Sequence, residues 1–233
     1  MIRIAICITL ILIPVLITGA CIDGGETGQN TRQDGDDEIM LPEPRTIGEI
    51  SIEEAMRNRR SVRQYTKEAI TLNDLSQLLW AAQGITSEEG FRTAPSAGAL
   101  YPLEVYVVAG NVDGLSDGVY RYRAEGNMLQ RIRDGDLREK LFECALKQTQ
   151  VTDAAADIVF AAVFNRTTAK YGERGVGYTY IEAGHAAQNV YLQAEALGLG
   201  VCAVGAFYEP DVSELLVLPD DETPIYLLTV GNV

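Results

Sequence analysis

Four arginines fall within the seven residues Arg57-Asn58-Arg59-Arg60-Ser61-Val62-Arg63, in a chain whose formal net charge is -14. Guanidinium forks match phosphate oxygens two at a time, and the Ser61 hydroxyl adds a further donor, so the segment has the chemistry of an anion clamp. The competing reading is a solvated helix end, where cations complement the negative pole of the helix. No lysine-glycine phosphate loop occurs elsewhere to compete for the role. Further along, Ala94-Pro95-Ser96-Ala97-Gly98-Ala99-Leu100-Tyr101-Pro102 runs into Val105-Tyr106-Val107-Val108-Ala109, a turn of small residues feeding a buried strand. Together the two segments describe a phosphate clamp beside a flat, close-packed pocket.

Other chemistries are poorly served. Gly198-Leu199-Gly200 and Gly205 follow a long helical stretch and precede a strand. A dinucleotide fingerprint needs the opposite order, so that phosphate meets a helix N-terminus, and these glycines read as a helix C-cap. Ala94-Pro95-Ser96-Ala97-Gly98 lacks the leading glycine of a nucleophile elbow and precedes a strand where the elbow must follow one. The single imidazole, His185, falls by pattern on the buried side of a helix, which suits a structural role at an interface better than a Ser-His mechanism. With no cysteine pair at ligand spacing either, no metal site is expected.

A length of 233 residues with 47% hydrophobic content suffices for one substantial core and a single globular domain. The acidic balance, with a pI near 4.5, argues against nucleic acid and against docking on anionic lipid by charge. Met1-Ile2-Arg3, the apolar run Ile4 to Ile17, and Thr18-Gly19-Ala20-Cys21 form an export signal whose end resembles a lipobox. The expectation is an anchor over 1–21, with Cys21 lipidated or the signal left uncleaved, and a domain on the outer face of the cytoplasmic membrane. Residues 22–48 are glycine-rich and acidic with hardly any apolar periodicity, and read as a tether. Only Cys144 and Cys202 remain for a disulfide in the domain, 49–233.

Within that domain the patterns predict helices starting at Ser51 and Thr71, a strand over 104–109, and a hairpin of 118–122 with 128–132 around Glu125-Gly126-Asn127. A helix over 136–146, a central strand over 157–164 and a long helix from Tyr178 to Leu197 follow. Ala183, Ala186, Ala187, Val190, Tyr191 and Ala194 give that long helix a small-residue stripe suited to another helix or a partner subunit. A strand over 201–207, a short helix over 211–216 and a terminal strand over 225–230 complete the order.

The clamp and the turn, with Lys170-Tyr171-Gly172-Glu173-Arg174-Gly175, Glu182-Ala183-Gly184-His185-Ala186-Ala187-Gln188-Asn189 and the block 197–207, resemble the flavin-binding blocks of the nitroreductase superfamily. The subgroup most resembled is the SagB-type dehydrogenases, relatives of the azoline oxidases. The resemblance implies an α+β fold, with a central mixed, mostly antiparallel sheet flanked by helices, dimerising around FMN. It implies that Arg59, Arg60, Ser61 and Arg63 grip the FMN phosphate, ribityl chain and pyrimidine edge. Pro95, Ser96 and Ala97 would close on the flavin from the neighbouring subunit, and Val204 and Gly205 would lie against its ring, with the Gly205 N–H near N5. Lys170 and Tyr171 match an acid-base pair, whose alternative reading is a surface turn before Gly172. Relatives carry a basic residue after the final strand glycine; here that stretch reads Gly231-Asn232-Val233.

The expected activity is hydride transfer between a small-molecule or peptide substrate and FMN, with oxygen, a quinone or another exported carrier as acceptor. An exported domain has no access to cytoplasmic nicotinamide, which weighs against a simple NAD(P)H-dependent nitroreductase; that and an inward-facing reductase using NAD(P)H or a deazaflavin are the alternatives among enzymes. A non-catalytic lipoprotein that captures flavin or another ligand in the same pocket is the alternative outside them.

Overall fold

A computed structural model of the protein describes residues 38–233. The expected export signal, Cys21 and most of the acidic linker lie outside the described residues. Where the described chain begins it already belongs to the domain. Strand β1 (Glu38–Met40) pairs antiparallel with residues 128–130, Leu41 is buried, and Ser76 donates a 2.6 Å hydrogen bond to the Pro42 carbonyl. The domain therefore starts before the boundary expected at residue 49. Glu38-Ile39-Met40 hid in a polar segment because a three-residue edge strand turns only one side chain inward.

Capping sets the first helices. Ser51 accepts from the Glu54 N–H at the start of α1 (Ile52–Asn58). Thr71 ends the short strand β2 (Ile70–Thr71) and forms a reciprocal capping box with Asp74 at the start of α2 (Leu72–Gln83). The chain then builds β3 (Leu103–Ala109), the two-residue β4 (Val112–Asp113), β5 (Gly118–Arg123) and β6 (Met128–Asp134). Helices α3 (Arg138–Cys144) and α4 (Thr149–Asp153) lead to β7 (Ala156–Ala162), α5 (Phe164–Tyr171) and the long α6 (Arg174–Leu197). Strand β8 (Leu199–Val204), α7 (Glu209–Leu216) and β9 (Thr223–Asn232) finish the chain.

The main sheet has seven strands in the order β1-β6-β5-β3-β7-β9-β8, with every pairing antiparallel, and β2 and β4 form a separate parallel pair. Period-two alternation sorts its side chains into two layers. Val105 and Val107 of β3 and Ile158 and Phe160 of β7 pack with α2 and α6 on one face. Tyr106, Val108 and Val159 pack with Leu141, Val151, Val212 and Leu216 from α3, α4 and α7 on the other.

Several expectations shift. Helix α6 starts at Arg174, earlier than Tyr178, and its stripe from Ala183 to Ala194 is spent inside the chain's own core against α2. His185 is exposed, not buried, because it lies beside that stripe. Strand β8 stops at Val204, so Gly205 to Phe207 leave the sheet. Cys144 and Cys202 are free thiols. Among the described residues, no helix is long and apolar enough to cross a membrane.

Candidate active site

The arginine segment leaves α1 in extended form and runs beside β8. Ser61 bridges Val201 in parallel fashion, and the Val62 N–H donates to the Val201 carbonyl at 2.9 Å. The approach is close enough that a Cβ on Gly200 would sit 2.9 Å from Val62. Tyr191 of α6 stitches this edge together: its hydroxyl accepts from the Ala203 N–H at 2.7 Å and lies 3.1 Å from Ser61 Oγ. The Arg59 guanidinium stands 5.3 Å from the Tyr191 ring centre. Arg60 behaves differently. Its Nη1 turns back to the carbonyls of Arg57, Asn58 and Arg59 at 2.8–3.2 Å, capping the end of α1 as the helix-end reading of the cluster expects. Among the described residues none of Arg59, Arg60 and Arg63 has a carboxylate partner, and Arg60 and Arg63 are exposed.

Beside this clamp the chain leaves β8. Val204 is only 1% exposed, with its side chain in the layer of α3 and α7, so the open backbone begins at the next residue. Gly205 is exposed, and a Cβ there would touch only the Tyr226 ring at 3.9 Å. Nothing in the chain's own packing demands glycine at 205. An open backbone next to a hydroxyl and to guanidinium groups that have no carboxylate partner among the described residues is a cradle that a flat, phosphate-bearing group such as FMN fits.

The remaining expected residues gather elsewhere. Pro95 is exposed, and Ser96 and Ala97 enter a tight turn over Ala97–Ala99; Gly98 and Ala99 within it and Tyr101 just beyond it take positive φ of 65°, 53° and 45°. Lys170 and Tyr171 are the last two residues of α5, not a surface turn, and they lie directly over Gly98. A Cβ on Gly98 would be 2.7 Å from Tyr171 Oη and 2.8 Å from Lys170 Nζ. Lys170 Nζ is 5.3 Å from the Tyr171 ring centre. The Lys170 side-chain nitrogen and the Tyr171 hydroxyl oxygen thus share one point above the turn.

The sequence reading missed Glu182. It is only 2% exposed on α6, burial pushes its carboxyl up to about 7, and the Ser96 hydroxyl and Gln83 amide face it and favour its charged form. An acid within the buried rows of an amphipathic helix was the available signal. Close by, a cavity of about 430 Å³ is lined by Gln83, Arg92, Tyr101, Glu104, Tyr122 and Arg166. Arg166 ties Glu104 to the Tyr101 carbonyl, and Arg121 bonds both Glu104 and the buried Glu222, each at 2.9 Å. Those guanidinium groups hold the Glu104 carboxyl below its ordinary range against the effect of burial, which is the largest single influence on it.

The clamp and the turn are separated along α6. Glu182 marks one and Tyr191 the other, nine residues apart. That spacing is about 14 Å of rise and an odd number of half-turns, which places them on opposite sides of the helix. Each chain carries two halves facing different ways.

Known proteins resemble this chain over most of the described residues. Residues 56–232 match the model of the nitroreductase family. A protein of Methanocaldococcus jannaschii, provisionally named a nitroreductase, is 46% identical over 195 residues, covering 84% of this chain and 96% of that one. The FMN reductase (NADPH) of Bacillus subtilis is 25% identical over 193 residues, covering 77% of this chain and 64% of its own. Among solved structures, a provisionally named nitroreductase of Ralstonia eutropha superposes with a TM-score of 0.75 at 32% identity, covering 85% of this chain and 90% of that one.

Proposed function

From the premise that this chain belongs to the nitroreductase family of oxidoreductases, we propose that it is an FMN-dependent dehydrogenase of the SagB type, acting on a small-molecule or peptide substrate. The observation that carries the reading is the clamp: guanidinium groups that have no carboxylate partner among the described residues, beside Ser61 on the edge of β8, the strand that runs out into the open backbone of Gly205.

Arg59 and Arg63 would neutralise the phosphate, and Ser61, held by Tyr191, would donate to it. The Gly205 backbone would let the ring approach and offer its N–H to the ring edge. Bound FMN supplies a two-electron carrier for hydride. The chain's own part in the chemistry is the proton. As hydride leaves a substrate carbon, the proton from the adjoining heteroatom would pass to Tyr171 Oη as phenolate or Lys170 Nζ as free amine; in the reductive direction the phenol or ammonium would return it. Pro95, Ser96 and Ala97 lie with Lys170 and Tyr171 on the half that faces away from the clamp. Two copies related by a twofold axis would bring one chain's turn over the other's clamp, so the reading requires a homodimer.

Retained yellow absorbance after incubation with FMN, lost in Arg59→Ala, is the expected result. A colourless wild-type protein rejects the reading. Oxidation of NAD(P)H by the loaded protein would move the assignment to an NAD(P)H-dependent reductase. The domain is read as exported and tethered through Cys21, so protease added to intact cells should cleave it; protection would place it inside.

A further inference from the structure

The turn that carries Ser96 is held under strain. Left-handed backbone at Ala99 and Tyr101 is unfavourable for residues that carry a side chain and persists only where the surroundings over-determine it. The clamps are visible. Ser96 Oγ accepts the Tyr101 N–H at 2.9 Å, Arg166 donates to the Tyr101 carbonyl at 2.9 Å, and the Tyr101 hydroxyl accepts the Arg92 N–H at 3.3 Å. Behind the turn lies Glu182, whose Oε1 is buried with no hydrogen-bond partner, as is Nε2 of Gln83. Buried polar atoms left open in this way call for an explanation.

We infer that Glu182 is a positioning residue for the redox site: its carboxylate fixes the Pro95–Ala97 turn through Ser96, and its protonation loosens that hold. The inference rests on reading this turn as part of the flavin site. Every element around the carboxyl contributes. Helix α2 presents Gln83, whose Oε1 accepts from Arg92 at 3.3 Å; the segment after α2 brings Arg92, the charged neighbour; and the turn brings Ser96. The end of α5, with Lys170 and Tyr171, lies across Gly98. An ionised carboxylate draws the facing Ser96 hydroxyl more strongly than a neutral acid does. Burial opposes ionisation and puts the balance near neutrality, so the change falls where ordinary shifts in pH reach it.

The test is amide exchange at Ala99 and Tyr101 in flavin-free full-length protein, corrected for the intrinsic dependence of exchange on pH. Between about pH 6 and about pH 8, protection in the wild type should rise roughly fivefold, and Glu182→Gln, which keeps the shape and cannot titrate, should show no rise. A flat wild-type response, or an equal rise in the variant, overturns the inference. Should the variant not fold, a wild-type rise that Ser96→Ala removes upholds the inference, and one that survives Ser96→Ala overturns it. FMN dissociation constants over the same range should tighten with pH in the wild type and stay level in Glu182→Gln; titrating exchange with an unchanged constant would also overturn the role at the redox site. If no FMN binds at any pH, the flavin reading falls, and the exchange data still decide whether Glu182 holds the turn.

Discussion

Gly98 is where the geometry of single residues bears most directly on chemistry. Its φ of 65° disfavours any side chain, and a Cβ would land within 2.8 Å of both Tyr171 Oη and Lys170 Nζ. Those atoms are the ends of flexible side chains, so Gly98→Ala should fold, at a cost of about 1–2 kcal/mol for the backbone and the displaced tips. If the pair handles the proton, turnover of the FMN-loaded variant should fall roughly tenfold to a hundredfold, since ångström misplacements of reacting groups cost that much. A lowered denaturation midpoint with undiminished turnover would remove Lys170 and Tyr171 from the mechanism. The arginine cluster was legible in the sequence because four like charges against an acidic background are conspicuous. What each arginine does was not: the carbonyl contacts of Arg60 depend on where α1 ends, and the role of Tyr191 depends on β8 folding back beside it. Glu182 escaped because the motif containing it resembles a family block as a whole, which drew attention from the one acid on its buried side.

Elements were readable in proportion to how far local signals set them. Caps at Ser51 and Thr71 fixed two helix starts, and continuous apolar runs marked β3 and β7, strands covered on both faces. The element that carries the proposed acid-base pair was the one least visible. Phe164-Asn165-Arg166-Thr167-Thr168-Ala169-Lys170-Tyr171 buries only Thr167, so α5 has almost no apolar stripe and takes its stability from lying against α6. The contact is backbone to backbone: a Cβ on Gly175 would come within 2.8 Å of the main chain at Thr167 and Thr168. The same glycine, a poor helix former, hid the first turn of α6 from a propensity reading. Tertiary packing thus sets the Lys170–Tyr171 segment, and local pattern alone offered a surface turn there as the alternative to an acid-base pair.

At the scale of the whole molecule the question is what covers the outer side of α6. Gly177, Ile181, Gly184 and Gln188 recur at helical spacing and are all exposed, with Ile181 58% and Tyr180 50% accessible. Added Cβ atoms at Gly177 and Gly184 would meet nothing within 4 Å among the described residues, so these glycines serve no contact there. Glycine in a helix interior costs about 1 kcal/mol relative to alanine. Close approach by another backbone is the physical benefit that offsets this, and an exposed patch of isoleucine and tyrosine beside it is what an interface core requires. A second copy seated there would answer the other anomaly of the fold, that the arginine clamp and the Pro95–Ala99 turn under the end of α5 face opposite sides of α6. Ile181→Arg places an unpaired charge in the centre of such an interface, where burial would cost several kcal/mol, while leaving the chain's own core untouched. The expected result is a folded monomer by light scattering, with unchanged far-ultraviolet circular dichroism and FMN affinity lowered at least tenfold, because each clamp has lost the turn that closes it. A variant that stays dimeric would move the interface elsewhere, and a monomer that binds FMN as tightly as the wild type would mean that one chain completes its own site.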